Sequence, residues 1–303
     1  MEIVCKHTAS ELLVNKNQNR YDPTHTTMLR NNMVHESNRY FNELVKVIRE
    51  VVIKNDIFGL NPRIHTFQEL PEKAFQFSID AKKIEEFTYW LEKRIRRGLL
   101  NGWPNKYISD AYKKGILRAL SEMRKARYKV PFIGKVGEEE IAMTLSSHIN
   151  TLELLYVRVY SELKGITSQM EQQISRILAQ GFVKGESNTV MARKLVAAIN
   201  GKGVGDLSLT DTIGRFIPAR RRAEILIRTE ISRAHHLAMI NEFRRWGVNG
   251  VNVIAEWQTM KDDHVCVKCA YMEGKTFTLD EIEGMIPAHP NCRCIAVPLL
   301  LKN

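Results

Sequence analysis

Hydrophobic residues at three- and four-residue spacing run through most of the chain and predict helices. Clear stripes of this kind lie in residues 39–54, 84–95 and 108–123. Apolar residues at this spacing share one face of a helix, and polar residues share the other face. The second and third stripes are separated by NGWPN at 101–105, which contains turn-forming residues. Residues 1–35 show little periodicity, so we expect an extended arm or loop there.

The longest regular stripe runs from Leu145 to Leu163, where apolar residues step by four and three in a heptad-like seam. It is too short for a free coiled coil and predicts a bundle helix packed against neighbours. Ser168 and Glu171 have the spacing of a capping box. We therefore expect a new helix to begin there and to end near Gly181.

Two more helices are predicted before the pattern changes. One begins after Ser187, a suitable N-cap residue, and runs to the glycine-rich turn at 200–205. The other spans about 218 to 246 and is rich in arginine. After it, VNVIAEWQT at 251–259 alternates apolar and polar residues, as in a half-buried strand. Two shorter strand candidates follow at 275–278 and 294–300.

These patterns predict a mainly α protein with two domains, and 303 residues give room for both. An extended helical N-terminal region is expected to precede a helical C-terminal domain that ends in a small α+β unit. KVPFIGKVGEEE at 129–140, with its proline and two glycines, is typical of a boundary. We therefore divide the chain into residues 1–140 and 141–303.

The chain is basic, with 45 Lys and Arg against 34 Asp and Glu, a net charge of +11. Residues 81–130 hold fourteen basic and five acidic residues, so this one segment contributes +9. Such a local excess favours a polyanionic partner, although a solvated helix face is the simpler alternative. No window reaches the roughly eighteen apolar residues of a membrane helix, so we expect no membrane partner.

Four of the five cysteines lie close together near the C-terminus, with a histidine among them. The C-x-x-C spacing of Cys266 and Cys269 lets two thiolates on one turn bind one ion. The later segment HPNCRC adds His289, Cys292 and Cys294. Five candidates compete for the four positions of a tetrahedral site, and we expect the first pair together with two of the other three.

A bound ion would explain how so short a unit folds, because about fifty residues bury too little apolar surface alone. The N-terminal sequence lacks the pattern of a secretory signal, so we expect a reducing compartment, where clustered cysteines favour metal over disulfides. Reduced, unliganded thiols are one alternative. A catalytic ion is another, since Asp262, Asp263 and His264 precede the first pair. So many sulfur and imidazole donors favour a closed, structural zinc site.

Four segments of the C-terminal half carry specific motifs: GESNTVMARKL (185–195), ARRRAEILIRTEISRAHHLAM (219–239), AEWQTMKDDHVCVKCAYMEGKTF (255–277) and IPAHPNCRCIAVPL (286–299). They contain, in this order, an RTE helix, a tryptophan-containing strand, D-x-x-x-C-x-x-C and HPNCRC. In these features and their order, residues 185–299 resemble the phage Mu F-like minor head proteins, the head morphogenesis family of tailed phages. Residues 1 to about 180 carry no motif that matches.

The resemblance implies a non-enzymatic virion protein, present in few copies and bound at the portal vertex inside the head. It would aid procapsid assembly, genome packaging or genome retention, after a period in the host cytoplasm during assembly. The portal protein is the expected partner, with scaffold and major capsid protein as further candidates, and residues 1–140 are the candidate docking segment. Arg228, Thr229 and Glu230 match the family's RTE, which we interpret as a helix-surface ion pair and helix packing.

Packaged double-stranded DNA is a second expected partner, through non-specific contacts to phosphates. The residues predicted to make these contacts are Lys93, Arg94, Arg96, Arg97, Lys113, Lys114, Arg118, Arg220, Arg221 and Arg222. The alternative function is a metal-dependent nuclease or other enzyme acting on DNA, with Asp262, His264 or His289 around the ion.

Overall fold

The computed structural model describes residues 24–59, 77–125, 142–200, 217–248 and 253–300. Within these ranges the protein is mostly helical with one three-stranded sheet, so the predicted fold class is confirmed. The elements are α1 (Thr27–Arg49) with a π-helical turn (Glu50–Lys54), α2 (Phe77–Leu99), α3 (Trp103–Lys125), α4 (Ser146–Val183), α5 (Asn188–Asn200), α6 (Ala219–Val248), β1 (Val253–Gln258), α7 (Val267–Met272), β2 (Thr276–Phe277), α8 (Leu279–Glu283) and β3 (Ile295–Leu300). No helix in the described ranges combines the length and apolar character needed to cross a membrane.

The chain forms two compact units, each built from separate stretches of sequence. The sheet unit draws its described residues from 1–32, 104–157 and 226–303, and the helical unit from 33–103 and 158–225. The long helices α4 and α6 each contribute residues to both units. The predicted linker around residue 140 lies outside the described residues, so the division at that position stays a prediction.

The first helix begins much earlier than predicted, because residues 27–35 are helical rather than an arm or loop. Met33 and Phe41 are fully buried, and they extend the apolar stripe towards the N-terminus. This stripe is difficult to recognise in the sequence, because Asn31, Asn32 and other polar residues of the exposed face lie between its apolar positions. Residues 1–23 of the same prediction lie outside the described part of the chain.

The π-helical turn after α1 changes which residues face the core. Leu44 and Ile48 are buried, as their spacing predicts. Val51, expected to continue that stripe, is only half-buried, whereas Val52 is fully buried. A π-helical turn holds more residues than an α-helical turn, so the buried position moves along by one.

Helix α3 follows its predicted pattern closely. All five residues of its stripe are at most 1% exposed: Ile108, Tyr112, Ile116, Leu120 and Met123. Gly115 lies on the same side, where an added Cβ would come within 2.3 Å of the His235 backbone oxygen on α6. A glycine at this position therefore lets α3 and α6 pack closely.

Helix α4 differs from the prediction in two ways. It runs unbroken through Ser168 and Glu171, so the predicted new helix start there is wrong. A capping box begins a helix only where the preceding residues leave helical geometry, and none does so here. The buried stripe also differs, because Leu145 and Ile149 are 37% and 41% exposed while Leu155 is buried.

The end of α4 is set by Gly185 rather than by Gly181. Gly185 has a positive φ of 62°, and its N–H donates to the Phe182 carbonyl at 3.1 Å. The N–H of Glu186 donates to the Gly181 carbonyl at 2.9 Å, which completes a Schellman motif. The next helix starts as predicted, with the Val190 N–H donating to the Ser187 hydroxyl at 3.4 Å.

The sheet confirms the predicted strands and has the antiparallel order β2-β1-β3. Val253, Ala255 and Trp257 are buried and alternate with half-buried neighbours along β1. Their face packs on a small core that contains Ile240 of α6 together with three of the cysteines, Cys269, Cys292 and Cys294.

A buried carboxylate, Glu242, lies among the helices of the sheet unit. It is 0% exposed and accepts a hydrogen bond from the Trp246 indole at 3.0 Å and from Arg245 Nε at 3.1 Å. His148 Nε2 lies 3.3 Å away. Burial alone would raise the pKa of Glu242, but the neighbouring His148, Arg245 and Trp246 hold it below its usual value of 4.5.

We predict that Glu242→Gln lowers the free energy of unfolding by about 3 kcal/mol at pH 7, because Arg245 then loses the buried carboxylate that balances its charge. A carboxylate whose pKa is lowered by folding stabilises the protein above its ordinary pKa, and this contribution disappears as the pH falls. The wild type should therefore lose more stability than the variant between pH 7 and about pH 3. Urea unfolding at each pH measures this, with Glu153→Gln on the exposed side of α4 as control. Equal stability of wild type and Glu242→Gln at pH 7 would contradict the prediction.

Candidate metal centre

The C-x-x-C pair lies at the start of α7. Cys266 is the N-cap residue of that helix, and its Sγ accepts a hydrogen bond from the Cys269 backbone N–H at 3.4 Å. This bond folds the chain so that both sulfurs lie on the same side of one turn. Cys266 is partly exposed, whereas Cys269 is buried.

The HPNCRC segment forms a second turn. The Cys292 backbone N–H donates to the His289 carbonyl at 3.1 Å, and Asn291 between them has a φ of 63°, which asparagine tolerates better than most residues. His289 Nδ1 lies 2.8 Å from the Pro290 carbonyl oxygen. That carbonyl can only accept, so Nδ1 donates to it, which leaves Nε2 as the ring atom that can bind a metal.

The two turns bring their donor atoms together. His289 Nε2 lies 3.3 Å from Cys266 Sγ and 3.2 Å from Cys269 Sγ. Cys269 Sγ lies 4.0 Å from Cys292 Sγ. A tetrahedral ion with bonds of about 2.0–2.3 Å separates its donors by about 3.5–3.8 Å. The observed spacing is therefore close to that of a metal site.

All five predicted donors belong to one cluster, which has two overlapping parts. The donor atoms of Cys266, Cys269 and His289 lie within 4.8 Å of one another, and so do those of Cys269, Cys292 and Cys294. Cys269 is common to both parts. The predicted clustering is confirmed, and the choice of four among the five stays a prediction.

The protonation of the buried thiols also favours a cation. Hydrogen bonding with Cys269 and Cys294 lowers the pKa of Cys292, whereas hydrogen bonding with Cys292 raises the pKa of Cys269. These opposite directions indicate that the buried thiols do not all ionise together. If several of these buried thiols ionise, their negative charges need a positive ion nearby, such as a bound metal.

An ion pair joins the two turns outside the donor cluster. Arg293 donates to both carboxylate oxygens of Asp262, each at 2.6 Å, and this contact lowers the pKa of Asp262. Asp262 also accepts the His264 backbone N–H at 3.1 Å. The aspartate of D-x-x-x-C and the arginine of HPNCRC therefore form an ion pair that connects the two turns.

Helix α6 supports the same region along one side. The Thr229 hydroxyl accepts the Asn291 backbone N–H at 3.0 Å, and His236 Nε2 lies 3.1 Å from the Ile282 carbonyl oxygen. Further along, Arg244 binds Glu283 at 2.8 Å. Burial lowers the pKa of His236 to about 4, so this imidazole is neutral and donates to the carbonyl.

The interpretation of RTE as a helix-surface feature is corrected in part. Glu230 does form an ion pair, with Arg233 at 3.2 Å, but it is only 1% exposed. Sequence reasoning missed the contact of Thr229 with Asn291, because these residues are 62 positions apart. The spacing of Thr229, His236 and Ile240 at seven and four residues on one helix face was the available signal.

The predicted DNA-contacting residues lie in different environments. On α2, the basic residues Lys93, Arg94, Arg96 and Arg97 are exposed. Lys114 of α3 is exposed and Lys113 is half-buried, whereas the Arg118 side chain is 15% exposed and paired with Glu122 at 2.9 Å.

The three arginines at the start of α6 all contact polar side chains of the protein. Arg220 donates to side-chain oxygens of Asn38 and Asn42. Arg221 pairs with Glu224 at 3.0 Å, and Arg222 contacts Gln169.

Part of the chain is similar to a known protein family. Residues 172–297 match the family described as Phage Mu protein F like protein. This match supports a Mu F-like phage head protein. The matched region contains the end of α4, all of α5 and α6, most of the sheet and all five donors. Searches of the curated proteins and of the solved structures each found no match.

We predict that Cys269→Ser removes metal binding, because Cys269 belongs to both parts of the cluster. Loss of an ion present at about 1,000 times its Kd lowers stability by about 4 kcal/mol. Elemental analysis and thermal melting of reduced protein, each with and without a chelator, measure both effects. Cys5→Ser is the matched control, since Cys5 is the one cysteine that belongs to neither the C-x-x-C nor the HPNCRC segment. Full metal content in Cys269→Ser would contradict the prediction.

Proposed function

We propose that the protein is a non-enzymatic minor head protein of a tailed double-stranded DNA phage. It is bound at the portal vertex inside the head, where it aids procapsid assembly and the packaging or retention of the genome. The observation that carries the proposal is the match of residues 172–297 to the Mu F-like family, which is one of phage head proteins. Portal docking is assigned to residues 1–140, and the matched region provides the metal-stabilised part.

The metal in this proposal is a structural zinc ion. Thiolate and imidazole donors at tetrahedral spacing suit Zn²⁺ better than the harder cations Mg²⁺ and Ca²⁺, which prefer oxygen. Cys269, Cys292 and Cys294 are at most 4% exposed. With so many buried donors, the ion can be fully coordinated by the protein, so that it cross-links the two turns.

The metal-dependent nuclease is less well supported, because two of its three candidate acid–base groups are already engaged. Both oxygens of Asp262 accept from Arg293, and His289 directs Nε2 towards the sulfurs of Cys266 and Cys269. A hydrolytic zinc site needs an open coordination position and a group that moves a proton beside it. We therefore assign no catalytic residue.

We predict that the protein is recovered in few copies from purified heads of its phage and is lost from heads assembled without the portal protein. Quantitative mass spectrometry of both particles measures this, with the major capsid protein as internal standard. Equal recovery from heads with and without portal would refute portal docking. Absence from both kinds of head would refute the assignment to the virion.

We also propose that exposed basic residues of α2 contact packaged DNA. This α2 basic face consists of Lys93, Arg94, Arg96 and Arg97, all of which are exposed. Lys93 lies over the ring of the exposed Tyr89 at 4.3 Å, and Arg96 pairs with Glu92 at 2.9 Å. The face still carries several positive charges in one turn and a half of helix, which suits sequence-independent contact with phosphates.

We predict that Lys93→Gln combined with Arg97→Gln weakens binding to duplex DNA of any sequence. Each lost phosphate contact reduces the slope of log K against log salt by about 0.9, so two losses give a change of about 2. Fluorescence anisotropy over a salt series measures this slope. Lys46→Gln combined with Lys164→Gln removes the same charge from exposed positions on α1 and α4 and serves as control. An identical slope for both double variants would rule out a specific role for the α2 basic face.

A further inference from the structure

Thr229 is the residue of the RTE sequence that reaches the metal centre. Its hydroxyl oxygen accepts the backbone N–H of Asn291 at 3.0 Å. Asn291 stands between His289 and Cys292, two of the five candidate donors. One hydrogen bond therefore connects α6 directly to the second donor turn.

We infer that Thr229 is a positioning residue of the metal centre, which holds the second turn so that its donors face Cys269. This inference rests on the proposed function, in which that centre binds a structural zinc ion. Thr229 acts through the backbone of Asn291 and does not touch the ion itself.

The second turn needs an external support of this kind. Asn291 has a φ of 63°, a conformation that is less favourable than the right-handed one even for asparagine, so surrounding contacts help to hold it. Within the turn, the bond from the Cys292 N–H to the His289 carbonyl closes the backbone at 3.1 Å. That bond leaves the Asn291 N–H pointing out of the turn, where the Thr229 hydroxyl receives it.

The ion pair of the second turn has a different role from the Thr229 hydrogen bond. Arg293 is bound to Asp262, but Asp262 belongs to the first donor turn, so this pair ties one turn to the other. Thr229 belongs to a helix of 30 residues whose own backbone is fixed by helical hydrogen bonds. The Thr229 hydroxyl is therefore held in a fixed position. Its hydrogen bond fixes His289 Nε2 and Cys292 Sγ relative to the helix.

The same helix holds other parts of the sheet unit, so the fold does not depend on Thr229 alone. His236 contacts the Ile282 carbonyl at 3.1 Å, Ile240 lies in the core around the cysteines, and Arg244 binds Glu283. Loss of the Thr229 hydroxyl should loosen the second turn while these contacts keep the strands in place.

The test compares Thr229→Val, which keeps the shape but removes the acceptor, with Thr229→Ser, which keeps the acceptor. Zn²⁺ affinity is measured by competition with a chromophoric chelator, and coordination geometry by the visible absorption of the Co²⁺-substituted protein. Substitutions around a metal site that misplace its ligands weaken binding by about 10–100-fold. We expect a loss of this size and a changed Co²⁺ spectrum in Thr229→Val, with both restored in Thr229→Ser.

Two further variants complete the test. Ser232→Ala removes a hydroxyl on the same helix that donates to the Arg228 carbonyl at 3.2 Å, and it should bind Zn²⁺ as the wild type does. Thr229→Ala removes the acceptor without adding a methyl group, so it serves if Thr229→Val lowers the helix content seen by circular dichroism. Wild-type affinity and spectrum in Thr229→Val or Thr229→Ala would overturn the inference, as would an equal loss in Thr229→Ser. A wild-type protein that binds no zinc would instead refute the structural zinc of the proposed function.

Discussion

The C-terminal part of the sheet unit depends on the meeting of two tight turns at one point. Twenty residues separate Cys269 from His289 along the chain, yet Cys269 Sγ and His289 Nε2 lie 3.2 Å apart. The three strands have six, two and six residues, too few to enclose a core of ordinary size. Cys269, Cys292 and Cys294 are themselves part of that core, so the groups that would bind an ion are also the groups that the fold must bury.

Helix α6 provides the surface on which this arrangement is built. It is arginine-rich, and its sequence alone suggests a solvent- or DNA-facing helix. In the structure, Glu230, His235, His236 and Glu242 are all at most 1% exposed, so polar residues of α6 lie inside the protein. Arg244 pairs with Glu283, and Arg220 with two asparagines. Most of the charge on α6 is used for internal contacts, which leaves α2 as the more open basic surface.

Sequence patterns predicted the parts of the fold that depend on local spacing. The stripe of α3 and the alternation of β1 follow directly from the period of a helix and of a strand, and the C-x-x-C and HPNCRC segments predicted the donor cluster. The errors occurred where a local signal competed with tertiary packing. Ser168 and Glu171 look like a helix start but lie within α4, and Val52 replaces Val51 in the core because of a π-helical turn. The bond from Asn291 to Thr229 spans 62 residues, and the spacing along α6 indicates only which face of the helix packs, not which residue it contacts.

The polar groups around the cysteines support an architectural role for the site. Asp262 is bound by Arg293 through both oxygens, Thr229 receives the Asn291 backbone, and His289 Nδ1 faces the Pro290 carbonyl. An active site instead keeps an acid or base poised for a reacting group and a ligand position open to water. Here each of these groups contacts another part of the protein, and the five donors form two overlapping groups of three whose atoms lie within 4.8 Å of one another. An ion bound there would fix the two turns at the C-terminal end of the region that matches the Mu F-like family.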